Sequence, residues 1–170
     1  MIISLIGYMG SGKSTTGKDL AKTLGYEFID LDQFIEQKYN LEITDIFSKY
    51  GEIGFRKRER EALHEVLQQT NLVLSLGGGT PVYYDNMDFI NKNSESIFLR
   101  VQLPYLVKRL ESKKHTRPLI AHLENEDLME FIAKHLFERN QFYQKAKYTI
   151  SITTQSTYEV LNEIMEKIKS

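Results

Sequence analysis

The sequence predicts an α/β fold: a parallel sheet with helices on both faces. Three observations predict it. Short apolar runs alternate with stretches of helical periodicity along the chain, the pattern of strand–crossover–strand units. The first apolar run, Ile2, Ile3, Leu5 and Ile6, ends on Gly7-Tyr8-Met9-Gly10-Ser11-Gly12-Lys13-Ser14, which fits the phosphate-binding pattern G-x-x-x-x-G-K-[ST]. A later apolar run, Leu72–Leu76, ends on Gly77-Gly78-Gly79. Glycines after a buried strand permit close backbone approach, and ligands of parallel sheets bind at the carboxyl ends of strands.

Composition sets the outer bounds. The 170 residues suit one domain, 1–170, with a sizeable core. With 41% hydrophobic and 26% charged residues, the balance is that of a globular protein. A net charge of −1 provides no bulk positive field for nucleic acid or an anionic membrane. The lack of cysteine excludes a disulfide framework, a thiolate metal site and a cysteine nucleophile. The start of the chain has no basic flank of a signal peptide, and no apolar run approaches the roughly 20 residues needed to cross a bilayer. Together these favour a cytoplasmic protein.

The first motif has separable physical parts. Its glycines allow turns that a side chain would block, so successive N–H groups converge on phosphate oxygens. The helix beginning at Lys13, with Leu20, Ala21 and Leu24 on one face and Gly25 as its stop, adds unpaired N–H groups and a positive dipole end. Lys13 reaches the β- and γ-phosphates as a mobile charge, and the Ser14 hydroxyl can ligate Mg²⁺.

Tyr26–Ile29 reads as the second strand, ending at Asp30-Leu31-Asp32 before a helix over Gln33–Tyr39. The two carboxylates either face a ligand at the strand end or cap that helix. Leu41–Gln69 is mostly helical, interrupted at Tyr50-Gly51. Its charged front, Arg56 to Glu61, reads as a solvated face with pairs such as Arg56 and Glu59, or as a helix start aiming Arg56 at an acidic ligand. The third strand ends Leu74-Ser75-Leu76 without the aspartate that many P-loop enzymes use near Mg²⁺. Acidic help for a metal must then come from elsewhere, which raises the weight on Asp30.

Tyr84–Asn91 is a helix, Ser96–Val101 the fourth strand, and Pro104–Leu110 opens a helix with proline in its first turn. Glu111–Glu124 is polar and basic, and reads either as an ordinary loop or as a flap that closes over bound phosphates. Asn125–Gln144 is helical, with Leu128, Phe131, Ile132 and Leu136 at helical spacing; Met129, Phe137, Phe142 and Tyr143 read as packing residues. Tyr148–Ile152 is the fifth strand and Thr157–Ile168 the closing helix. The four histidines show no metal-ligand spacing.

Taken together, Gly10-Ser11-Gly12-Lys13-Ser14-Thr15, Asp30-Leu31-Asp32, Gly54-Phe55-Arg56 with Glu59, Gly77-Gly78-Gly79, Arg117-Pro118-Leu119, and Glu138-Arg139 with Tyr143 resemble the shikimate kinase family, in order and over nearly the whole length. The resemblance implies a P-loop kinase fold of the nucleoside-monophosphate-kinase type: a five-stranded parallel sheet flanked by helices, a substrate-binding insertion at about 31–60 and a short lid at about 111–124. It implies transfer of the ATP γ-phosphoryl group to the 3-hydroxyl of shikimate, in the pathway to chorismate and aromatic amino acids.

It also implies residue roles. Gly10, Ser11, Gly12, Lys13, Ser14 and Thr15 would hold ATP; Ser14 would bind Mg²⁺, with Asp30 orienting metal-bound water. Asp32 would bind shikimate hydroxyls, Arg56 and Arg139 its carboxylate, and Gly77, Gly78 and Gly79 would offer N–H groups. Arg117 would be the lid arginine, with Lys13 and Asp32 the other catalytic residues. Arg109 and Gln155 would border the adenine, although Ile152-Thr153-Thr154 lacks the aspartate common before that loop. The implied partners are ATP and shikimate, with no nucleic acid or membrane, and the implied state is a monomer. The alternatives are another small-molecule kinase of this fold, such as a gluconate or nucleotide kinase, and a regulatory nucleotide-binding module.

Overall fold

Five strands, all parallel, form one sheet in the computed structural model, which describes residues 1–169. They are β1 (Ile2–Ile6), β2 (Glu27–Asp30), β3 (Leu72–Ser75), β4 (Glu95–Val101) and β5 (Tyr148–Ile152), in the order β2-β3-β1-β4-β5. Seven α-helices are described: α1 (Lys13–Leu24), α2 (Leu31–Tyr39), α3 (Ile43–Val66), α4 (Asn86–Asn93), α5 (Leu103–Lys113), α6 (Asn125–Tyr143) and α7 (Thr157–Lys169).

The central strands β1 and β3 are buried at every position, as expected of apolar runs covered on both faces. β1 pairs with β3 on one side and β4 on the other. From β1 the chain first winds towards β2 and then returns to β4, so strand order reverses beside β1. That reversal opens a crevice at the carboxyl end of β1, where the glycine-rich loop emerges. Gly10 (φ 80°) and Gly12 (φ 90°) adopt left-handed conformations there, which lets the loop turn back into α1.

Some local expectations are corrected. β2 runs to Asp30 and α2 starts at Leu31, so Asp32 lies in the first turn of a helix rather than in a loop. α4 starts two residues later than Tyr84, and α5 continues to Lys113, so Glu111–Lys113 are helical and the irregular part of the flap is shorter. The flap also carries a core residue: Ile120 is fully buried. α3 is continuous except at Gly51 (φ 71°), where it kinks as the interruption at Tyr50-Gly51 predicts. On α6, Phe137 is 85% exposed and Met129 is exposed too, so neither is a packing residue, whereas Tyr143 is buried. Phe137 is on the solvent side of α6, while its neighbour Leu136 packs against the core.

Candidate active site

The loop between β1 and α1 wraps around the Lys13 amine. Lys13 Nζ donates to the backbone oxygens of Gly7 (2.6 Å) and Tyr8 (2.9 Å). Burial, then the positive charge of Arg117, push its pKa down to about 8; Asp32 and Asp30 act in the opposite direction. The amine therefore remains charged at neutral pH, with little margin.

Asp30 caps α2, and its second carboxylate oxygen meets the phosphate loop. Its Oδ1 accepts from the Gln33 N–H (3.2 Å), capping α2, while its Oδ2 accepts from the Ser14 hydroxyl (3.4 Å). A carboxylate has lone pairs for both tasks. Asp32 is half-buried, and its pKa is raised to about 6 by burial first, then by the neighbouring Asp30 and Glu59 carboxylates.

The charged front of α3 is not simply a solvated face. Glu59 is 1% exposed; it accepts from Arg56 Nη1 (3.0 Å) and from Thr80 Oγ1 (2.9 Å). Burial raises its pKa against the pull of Arg56. The Arg56 guanidinium also lies 4.1 Å from the Tyr83 ring centroid. A flexible cation is thereby held on three sides, by a carboxylate, a hydroxyl-anchored turn and an aromatic face. Sequence reasoning missed Thr80 and Tyr83, one and four residues after the glycine run, which belong to no pattern of their own.

Gly77–Gly79 joins the two halves of the site. A Cβ on Gly78 would stand 2.7 Å from Arg139 Nη1, and one on Gly79 2.8 Å from Arg56 Nη2. The Tyr143 hydroxyl donates to the Gly78 carbonyl (2.6 Å), fixing the turn from α6. Both guanidinium groups thus lean on backbone that only glycine leaves open.

Gly77 and Gly78 also line a cavity of about 590 Å³. Its walls include residues 9–16 of the loop and α1, with Asp30, Asp32, Gly77, Gly78, Arg109, Arg117 and Gln155. Every residue expected at the phosphates and metal is therefore brought together, and so are the two expected at the base. Arg56, Arg139 and Gly79 do not line this cavity; they flank Gly78, which does. Arg109 Nη1 donates to the Gly10 carbonyl (3.3 Å). Gln155 accepts from the Thr153 N–H (2.7 Å) and donates to the Ser151 carbonyl (2.9 Å), so it shapes the loop that lacks the usual aspartate. Arg117 Nε is buried without a protein partner, which suits a guanidinium awaiting an anion.

Ser14 and Asp30 present hard oxygen donors beside this cavity, and among the described residues no group of three or more His, Cys, Asp or Glu could cage a metal. That donor set fits Mg²⁺, which takes one or two protein oxygens and completes its shell with phosphates and water.

The shikimate kinase family profile matches residues 9–169. A shikimate kinase of Parabacteroides distasonis is 43% identical over 168 residues, covering 96% of this chain and 97% of that one. Another from Phocaeicola vulgatus is 46% identical over 146 residues, covering 86% and 83%. The crystal structure of the Bacteroides thetaiotaomicron shikimate kinase superposes with a TM-score of 0.93 at 38% identity, covering 100% and 99%. That of the Acinetobacter baumannii enzyme in complex with shikimate gives 0.86 at 34%, covering 98% and 92%. A P-loop at the switch point of the sheet, two arginines gathered on a glycine turn and these likenesses over the full length agree: the chain belongs to the shikimate kinase family.

Proposed function

We infer that the protein catalyses the reaction of its family: transfer of the γ-phosphoryl group of ATP to shikimate, giving shikimate 3-phosphate and ADP. The observation that carries this reading is the Gly77–Gly79 turn, whose Gly77 and Gly78 line the phosphate-loop cavity while Gly78 and Gly79 lie close against Arg139 and Arg56. ATP occupies the cavity, with its phosphates on the N–H groups of Gly10 to Thr15 and its base between Arg109 and Gln155. Shikimate lies across the turn. Arg56 and Arg139 take its carboxylate, each through parallel hydrogen bonds. Gly77, Gly78 and Gly79 add backbone donors.

Phosphoryl transfer depends on positioning and charge neutralisation. Lys13 moves from the loop carbonyls to the γ-phosphate, and Arg117 reaches the same charge from the lid, about residues 111–124. Asp32 accepts the hydrogen bond of the 3-hydroxyl. With its pKa raised to about 6, it is ionised at pH 7 and basic enough to take that proton as the new O–P bond forms and the bond to ADP breaks. Ser14, and Asp30 through water, would hold Mg²⁺, which would supply neutralising charge to the phosphates. Residues 31–60 form the acceptor-binding insertion of a single 1–170 domain.

A monomer is the proposed state, and the reading calls for no residue from a second chain. Among the described residues no helix is long and apolar enough to cross a membrane. A cytoplasmic location is part of the proposal and rests on the biosynthetic role. An ADP-release assay over shikimate, gluconate and nucleoside monophosphates tests the reading. Turnover with shikimate alone is expected; preference for either other class overturns it.

A further inference from the structure

His135 lies four residues before Arg139 on α6, so both project from one helix face. His135 Nδ1 is 2.8 Å from the Tyr8 hydroxyl, and the two rings meet edge to face at 89° with centroids 5.3 Å apart. Phe131 closes on the imidazole from the preceding turn, 5.6 Å away. Tyr8 belongs to the phosphate loop and is 2% exposed. Its ring carries the Arg139 guanidinium at 5.8 Å, and its backbone oxygen accepts from Lys13 Nζ. One tyrosine therefore touches the phosphate lysine through its main chain, the carboxylate arginine through its ring face and α6 through its hydroxyl.

The direction of the bond follows from the surroundings. Burial, then the nearby Arg139 charge, hold the His135 pKa below its ordinary value, and burial raises that of the Tyr8 phenol. At neutral pH the phenol donates and a neutral imidazole accepts. A buried phenol leaves its O–H unsatisfied without such a partner, and Tyr8 has no other side-chain partner recorded among the described residues.

We propose that Tyr8 and His135 form a positioning pair that holds Arg139 at a set distance from the phosphate loop, so that the carboxylate grip stays in register with the phosphoryl donor. Neither side chain touches the reacting atoms; both act through Arg139. The proposal rests on the reading that Arg139 binds the shikimate carboxylate.

The test is steady-state kinetics on the full chain for Tyr8→Phe, His135→Ala, the double variant, His135→Asn and Arg139→Ala, with melting temperatures alongside. Loss of one neutral hydrogen bond corresponds to about a three- to tenfold effect. Tyr8→Phe and His135→Ala are each expected to raise the shikimate KM by about that factor. In His135→Ala the ATP KM stays within about twofold, which a general loss of folding would not produce. The double variant is expected to be no worse than the poorer single one, since both remove the same bond. His135→Asn, whose amide oxygen can replace Nδ1 as acceptor, is expected to recover much of the loss. An unchanged shikimate KM in either single variant, additive losses in the double variant, or equal rises in both KM values would overturn the pair. If Arg139→Ala weakens shikimate while His135→Ala does not, only the pair fails. If Arg139→Ala leaves the shikimate KM unchanged, the carboxylate assignment fails and the pair with it.

Discussion

Gly79 leaves room for the Arg56 guanidinium: a Cβ added to it would stand 2.8 Å from Nη2 and 2.9 Å from Nη1. Arg56 is a long side chain that can swing away, so Gly79→Ala should move the cation rather than unfold the chain. The expected outcome is a shikimate KM raised about tenfold or more, comparable to losing a charge-assisted hydrogen bond, with a melting temperature within a few degrees. Arg56→Ala should behave alike in a shikimate titration. Normal shikimate affinity in both variants would remove Arg56 from the carboxylate.

Asp30 serves two partners, so its variants should separate. Asp30→Asn retains an oxygen for the Gln33 N–H and should keep the cap, while weakening the Mg²⁺ dependence of turnover. Asp30→Ala should lose both, and cost about 1 kcal/mol in urea unfolding as a lost N-cap. Chelation by EDTA should stop turnover of the unaltered enzyme, with recovery on adding Mg²⁺. Equal Mg²⁺ requirements in all three proteins would dissociate Asp30 from the metal.

The pH profile should be bounded by Asp32 and Lys13. Asp32 is ionised above its pKa of about 6 and Lys13 is charged below about 8, so kcat/KM is expected to fall on both sides of that window. The stability signs can be worked out too. A carboxyl whose pKa is raised on folding from 3.8 to about 6 favours the folded state below 3.8 and loses that contribution as pH rises through 6. Asp32→Asn should thus abolish most activity yet stabilise the fold at pH 8, by up to about 2 kcal/mol, with the gain fading in acid. A destabilised Asp32→Asn at pH 8 would contradict this assignment.

Lys13→Ala should eliminate measurable turnover and leave circular dichroism unchanged. Its amine is buried at a cost: the pKa, lowered from 10.5 to about 8, means that charging disfavours the folded state below pH 8, and the penalty disappears above 10.5. Lys13→Ala is therefore expected to melt no lower than the parent at pH 7. Retained turnover would remove the phosphate-loop assignment.

The flap should be the part that responds to ligands. Lys114 Nζ binds the Leu123 carbonyl and Asn125 Oδ1, closing the base of the segment, and Ile120 anchors it to the core. Amide hydrogen exchange across 111–124 should slow several-fold with ADP and shikimate present together. Identical exchange with and without ligands would exclude closure.

Much of this was legible in the residues. Apolar runs fall where the strands form because strands covered on both faces need continuous hydrophobicity. The phosphate loop reads directly because its chemistry is local: eight consecutive residues carry the turn, the lysine and the hydroxyl. Asp30 showed the limit of local reading, since spacing alone did not reveal that one carboxylate caps α2 and meets Ser14 together. Phe137 showed another, because helical spacing does not say which apolar residue faces the core.

By itself, then, the sequence determined the element order, the phosphate-binding loop and, through its scattered motifs, the family. The tertiary structure alone decided how distant segments meet. Folding brings the Gly77–Gly79 turn against the phosphate-loop cavity and the two arginines, buries Glu59 against Arg56 and Thr80, and sets His135 on Tyr8. Contacts between residues 21 or 127 positions apart leave no periodicity in the chain. They arise from how the sheet winds, and with them come the burial and charge proximity that shift Lys13 and Asp32.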